Sequence, residues 1–120
     1  MMSAGTGIEQ RSIILVPFPF SDLTGAKKRP ALVVSSSDFN IKNDDVICCL
    51  ITSNPEDIEH SIKITNKDME SGFLEFESKV KAYRMFTVSK KLIYRLLGIL
   101  NLAKSKAVIE EINKIIEIKK

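Results

Sequence analysis

The chain has no tryptophan, one histidine and only two cysteines among its 120 residues, and the cysteines are neighbours, Cys48 and Cys49. Adjacent cysteines inside an apolar run are core thiols rather than a disulfide framework. With a single histidine and neither Cys-x-x-Cys nor His-x-x-x-His spacing, no metal centre can be assembled from familiar ligands, and no cofactor is expected. Nowhere do about 18 apolar residues run together, which excludes a transmembrane helix. Glu9 and Arg11 fall where a signal peptide needs an apolar stretch, so the chain reads as cytoplasmic. Charge of one sign is also lacking: 18 Lys and Arg against 15 Asp and Glu leave a net +3. That total says nothing about nucleic acid by itself. What is present is apolar content of 44%, ample for the core of one domain spanning residues 1–120.

No internal repeat or low-complexity linker interrupts the chain. Residues 1–7 are small and polar and are expected to fray. Residues 13–20 read as a strand. Pro17 and Pro19 lack amide donors, which places its end at a sheet edge or in an unpaired segment. A polar loop with turn residues Asp22 and Gly25 follows and ends in Lys27, Lys28 and Arg29, before strands at 31–35 and 46–51. Both strands are continuously apolar and should be buried on two sides. Residues 35–45 between them are polar and loop-like. After the Asn54-Pro55 breaker, residues 61–65 alternate as a short strand. Residues 73–88 read as one long strand with Phe76, Ser78, Val80 and Ala82 inward and Glu75, Glu77, Lys79, Lys81 and Tyr83 outward. A strand of that length in a small domain bends around a barrel. Ser89 caps a helical turn over 90–94, and Gly98 breaks the chain before a last apolar pair. From residue 102 the period changes: Val108, Ile109, Ile112, Ile115 and Ile116 recur at helical spacing, giving an amphipathic helix over 102–118 capped by Asn101. The expected fold is mainly β, a small curled barrel with a short helix and a C-terminal helix.

Charge is distributed unevenly. Acids crowd into residues 38–68, while cations gather at 27–29 and between Lys79 and Arg95. A fold that joined the two basic segments would present a polyanion footprint; left apart, they are a solvated surface. The third strand ends in Ile51-Thr52-Ser53-Asn54-Pro55, with two hydroxyls where a buried strand emerges. Serine and threonine are common turn formers there. Yet a guanidinium and a hydroxyl on separate segments at one sheet end also match what a phosphodiester transition state requires. His60, between Glu59 and Ser61, reads as a strand-edge surface residue rather than a catalytic base.

These segments resemble the MazF/PemK-like family, the mRNA interferase toxins of type II toxin–antitoxin modules. The resemblance rests on ILVPFPFSDLTGAKKRPALVVSS, ICCLITS, the strand holding Ser78-Lys79-Val80-Lys81, and KKLIYRLLGIL, in series over about residues 11–100. It implies an SH3-like barrel that dimerises and cuts single-stranded RNA. By position Arg29 and Thr52 match the family's catalytic arginine and threonine. Lys27, Lys28, Ser53, Lys79 and Lys81 are candidate RNA contacts, and the loop over 21–28 matches a segment that closes over RNA or is displaced by antitoxin. The implied partners are RNA, a cognate antitoxin with a disordered acidic tail, and a second copy of the chain. The chain departs from the family pattern in two places. Arg11-Ser12 stands where members commonly have Gly-Asp, and Lys81 and Tyr83 stand where some relatives carry arginine and an acid.

The expected chemistry is metal-free attack of a ribose 2′-hydroxyl on the adjacent phosphate, with Arg29 neutralising charge and Thr52 donating a hydrogen bond. The alternatives are a catalytically inactive barrel that binds RNA or a peptide, and an interaction protein working through the isoleucines of its C-terminal helix. The last predicts that truncation after Leu100 leaves a folded barrel.

Overall fold

In the computed structural model, which describes residues 8–18 and 27–120, seven strands form one antiparallel sheet. They are β1 (Ser12–Phe18), β2 (Lys27–Val33), β3 (Asp45–Thr52), β4 (Ser61–Ile64), β5 (Met69–Gly72), β6 (Ser78–Ser89) and β7 (Arg95–Leu100). Helix α1 (Ser37–Lys42) lies between β2 and β3, and α2 (Leu102–Ile116) follows β7. The order across the sheet is β4-β6-β3-β2-β1-β7-β5. The two edges, β4 and β5, are therefore consecutive in the chain, with only residues 65–68 between them. Six strand spacings would put the edges of a flat sheet roughly 29 Å apart, whereas the connection from Ile64 to Met69 reaches at most roughly 18 Å. The sheet has to curl. The short connection is a 3-10 turn closed by a capping box, in which Thr65 N donates to Asp68 Oδ2 at 2.8 Å.

Alternate residues of the same strands feed two apolar clusters. One fills the barrel with Ile13, Leu32, Cys49, Ile51, Val80 and Leu100, and Val108 and Ile112 of α2 belong to it. The other collects Ile14, Val16, Ala31, Val33, Cys48 and Val88 on the opposite face, with Ile8 laid over them. The continuous apolar runs of β2 and β3 are thus buried on both sides, as their lack of alternation requires. Asn40 of α1 is fully buried and ties the second cluster down. Its amide donates to Ile8 O at 2.7 Å and to Ser35 O at 3.2 Å, and Ser35 Oγ donates to Asn40 Oδ1.

Several expectations are corrected. Residues 35–45 contain helix α1, because Ser36 accepts from Phe39 N as an N-cap and Asn40 finds buried partners. Residues 73–77 are a loop and β6 begins at Ser78, so Phe76 is exposed rather than inward. The β5 strand was not read from the sequence at all. Gly98 does not break the chain but lies inside β7, where β5 crosses it so closely that a Cβ would sit 2.3 Å from Ser71 O and 2.9 Å from Gly72 Cα. The turn after Ser89 is a single 3-10 turn over Lys90–Leu92, and α2 stops at Ile116. Residues 1–7, Pro19, Phe20 and loop positions 21–26 lie outside the described residues.

Candidate active site

Strand register decides which polar side chains meet. Between β2 and β3 the pairs are Val33 with Cys48, Leu32 with Cys49 and Ala31 with Leu50. The pairing of β2 with β3 ends at Ala31 and Leu50, so Arg29 and Thr52 each lie two residues beyond the last pair, on the face of Ala31 and Leu50. Arg29 pairs with Val16 of β1, Thr52 with Lys79 of β6, and Lys79 with Lys63 of β4. Two sets of pairs therefore flank the end of β3: Val16 with Arg29 on one side, and Thr52 with Lys79 and Lys63 on the other. Directly opposed antiparallel residues share a face with Cβ atoms about 5 Å apart. Arg29 and Thr52 are thus a guanidinium and a hydroxyl on one face of neighbouring strands, both donor types that bind phosphate oxygens.

The sequence places Lys27, Lys28 and Arg29 on a loop tip; in the structure all three belong to β2, and the pleat separates them. Lys27 and Arg29 share one face. Lys28 points to the other, where its ammonium lies 4.4 Å from the centre of the Tyr94 ring. All three are exposed. No hydrogen bond or ion pair engages Arg29 among the described residues, so its five donors are available to an anion.

Thr52 is half-buried, and its hydroxyl accepts from Asn54 N at 3.1 Å, which leaves the O–H free to donate outward. The loop beyond is held by its own hydrogen bonds: Asn54 Oδ1 accepts from Glu56 N at 3.0 Å, and Lys79 Nζ donates to Asn54 O at 3.1 Å. Lys79 thus braces the loop with one of its three donors. Ser53 is exposed and lines two adjoining cavities of 520 and 250 Å³ that also share Ser78. Lys81 pairs with Ser61, two residues along β6 from Lys79 and on the same face. The structure thus draws Arg29, Thr52, Ser53 and Lys79 to one rim, sets Lys81 one step away, and turns Lys28 to the opposite face.

Several neighbours of this rim were missed by sequence reasoning. Arg95 pairs with Leu15, which in turn pairs with Pro30, and all three line the larger cavity. Phe73 and Phe76 line it too. Lys63 pairs with Lys79, and Arg84 lies 5.6 Å from the centre of the Phe18 ring. Only pairing across the sheet reveals these neighbours; no spacing along the chain does.

The nucleophiles and the histidine are otherwise engaged. Burial pushes the Cys48 thiol up to about 12, with Cys49 beside it adding to the effect, and burial alone does the same to Cys49. Neither thiol is a thiolate at neutral pH. His60 sits in a left-handed backbone conformation with φ 58°, and its Nδ1 is 2.8 Å from Glu111 Oε2 on α2. That hydrogen bond holds the Glu111 carboxyl below its ordinary range. Among the described residues no three His, Cys, Asp or Glu side chains stand close enough to hold a metal, and no helix is long and apolar enough to cross a membrane.

The chain is thus a small curled antiparallel barrel with a C-terminal helix packed into its core and an arginine, a threonine and lysines at one rim. The family model for the PemK-like, MazF-like toxin of type II toxin-antitoxin systems matches residues 9–116, and the chain belongs to that family. Solved structures share the fold. An endoribonuclease from a Mycobacterial species, solved in complex with its cognate antitoxin, superposes with a TM-score of 0.75 at 18% identity, covering 94% of this chain and 98% of the other. The Mycobacterium tuberculosis toxin MazF-mt6 gives 0.71 at 19% identity, with 92% and 100% covered. A MazE-MazF structure from Deinococcus radiodurans gives 0.76 at 15% identity, with 93% and 98% covered. No significant match is found among curated protein sequences.

Proposed function

We propose that this chain is an endoribonuclease toxin that cuts single-stranded RNA, principally mRNA in the cytoplasm, at short sequences, and that a cognate antitoxin neutralises it. The observation that supports the reading is that Arg29 and Thr52, on neighbouring strands, lie on one face beside the end of β3. Membership of a toxin family supports it. The 2′-oxygen attacks phosphorus as the bond to the 5′-oxygen breaks, leaving a 2′,3′-cyclic phosphate and a 5′-hydroxyl without a metal ion. Arg29 stays protonated at any ordinary pH, so its work is electrostatic: its planar fork neutralises charge developing on the phosphoryl oxygens. The free O–H of Thr52 donates to one of them. Lys27, Lys79, Lys81 and Ser53 hold the flanking chain, and Lys28 reaches it from the other face. The active form is a homodimer, checked by sedimentation equilibrium.

Arg29→Ala tests the reading. Losing a preorganised donor of this kind costs roughly 10²–10³-fold in rate, while the exposed position leaves the fold unchanged by circular dichroism. Undiminished cleavage by this variant would sink the assignment. A substrate with one 2′-deoxy sugar at the cut site is expected to survive intact.

Lys81 and Tyr83, standing where some relatives carry arginine and an acid, favour a second reading: a barrel that holds RNA or a peptide without cutting it. Incubation with a long RNA in chelator separates the two readings. New 5′-hydroxyl ends identify the enzyme; a gel shift of intact RNA identifies the binder.

A further inference from the structure

The cavity of 520 Å³ that Pro30 and Ser53 share is walled by residues 73–76 of the loop before β6, and that loop displays two large apolar rings. Phe73 is 66% and Phe76 62% exposed. Rings this open normally belong to a frayed segment, but this one is pinned at three points. Leu74, between the two phenylalanines, is 5% exposed and belongs to the barrel core. Leu74 N donates to Asn66 Oδ1 at 2.6 Å, Phe73 N donates to Leu97 O at 3.3 Å, and Ser78 Oγ donates to Phe76 O at 2.8 Å. The fold thus spends a buried leucine and three hydrogen bonds to hold two rings in water. Exposed apolar surface on a fixed support is the mark of a binding site.

The surroundings say what binds. Pro30 and Ser53 line the same cavity and are the chain neighbours of Arg29 and Thr52. One step along a strand is about 3.3 Å and turns the side chain to the opposite face. The cavity therefore opens on the face opposite Arg29 and Thr52, and an RNA strand that crosses the end of β3, which stops at Thr52, passes from one to the other. Arg95 stands at that mouth on β7, a cation for the next phosphate or a planar partner for a base. Glu75, also in the wall, offers carboxylate oxygens to exocyclic N–H groups. Aromatic faces, flanking cations and a few hydrogen-bonding groups are the parts from which single-stranded nucleic acid sites are made.

We infer that this cavity is a nucleobase subsite, in which Phe76 and Phe73 stack an unpaired base adjacent to the phosphate gripped by Arg29 and Thr52, and which sets the sequence the protein selects. The inference rests on the RNA-cleaving reading above. Phe73 and Phe76 act on specificity through the base, not on the reacting atoms.

The test uses a short RNA blocked by a 2′-deoxy sugar at the mapped cut site, with a matching set that is abasic at each flanking position in turn. Phe76→Ala is expected to weaken binding of the intact oligonucleotide roughly tenfold or more, the scale of one base stacked on one ring. It is expected to weaken binding much less at the one abasic position whose base occupies the cavity. Phe76→Trp restores affinity, whereas Phe76→Leu, which keeps apolar bulk without a ring face, does not. In sequencing of cut ends, Phe76→Ala relaxes the preference at that same position. Equal losses by Phe76→Ala on intact and abasic RNA, or no loss by Phe76→Ala on either while the wild type cuts RNA, overturn the subsite alone. Retained RNA affinity in Phe76→Ala with weakened antitoxin binding overturns it in favour of a peptide site. A wild type that neither cuts nor binds RNA overturns the subsite and the parent reading together.

Discussion

At the scale of single residues, the pleat matters more than composition. Three consecutive cations look like one basic patch, yet Lys28 stands over Tyr94 while Arg29, paired with Val16, lies on the opposite face. The roles should separate on substitution. Arg29→Lys keeps the charge but loses the planar fork, so cleavage should fall well below wild type, whereas Lys28→Arg should leave the rate within a few-fold; single-turnover kinetics measure both. A second prediction concerns the His60–Glu111 pair. The hydrogen bond from His60 depresses the Glu111 carboxyl below its ordinary value of 4.5. A group whose folded value is depressed contributes stability above its unfolded value and loses that contribution as pH falls through the folded value. His60→Ala should therefore raise the Glu111 carboxyl toward 4.5 in an NMR titration. It should also flatten the decline in stability below that pH. The single histidine, a tempting base in the sequence, is a tether between the start of β4 and α2.

At the scale of elements, the contact between β5 and β7 depends on the absence of a side chain. Gly98→Ala would drive a Cβ into Ser71 O, at 2.3 Å, and into the Met69 side chain, at 2.7 Å. Backbone on the crossing strand cannot step aside as a flexible side chain can. We expect a cost on the order of 1–3 kcal/mol, read as a lowered urea midpoint, with β5 amides losing hydrogen-exchange protection first. β5 is also the element least legible in the sequence: four mostly exposed residues, MESG, have no apolar alternation to reveal them. Helix α1 was hidden for a related reason. Its six residues are mostly polar, and its stability comes from the Ser36 cap and the buried Asn40 amide. By contrast β3 and the apolar end of β2 were legible because their continuous apolar runs demand burial, and the first part of β6 because Ser78, Val80 and Ala82 alternate inward.

At the scale of the whole molecule, α2 is part of the barrel rather than an appendage. Val108 and Ile112 are 0% and 7% exposed and belong to the same cluster as Ile13 and Cys49. The interaction-protein reading predicts that a chain truncated after Leu100 stays folded. The structure predicts the reverse: truncation opens the core and abolishes the cooperative thermal transition. Ile112→Ala alone should cost about 2–5 kcal/mol. RNA affinity should also fall steeply with salt, with slope scaling at roughly −0.7 per phosphate contact, because the rim's cations release counterions.

The sequence by itself determined that the chain is mainly β with a C-terminal amphipathic helix. Those properties follow from local periodicity and from which residue types are present. It also singled out Arg29 and Thr52, through motifs that survive as short strings. Only the tertiary structure decided what stands beside them. The pairing of β2 with β3, and of β3 with β6, depends on contacts between residues far apart in the chain. A one-residue change in register would turn every side chain to the other face. Curling of the sheet, forced by the four-residue link between its two edges, is what brings Arg95, Phe73 and Phe76 around one cavity with Pro30 and Ser53, the chain neighbours of Arg29 and Thr52.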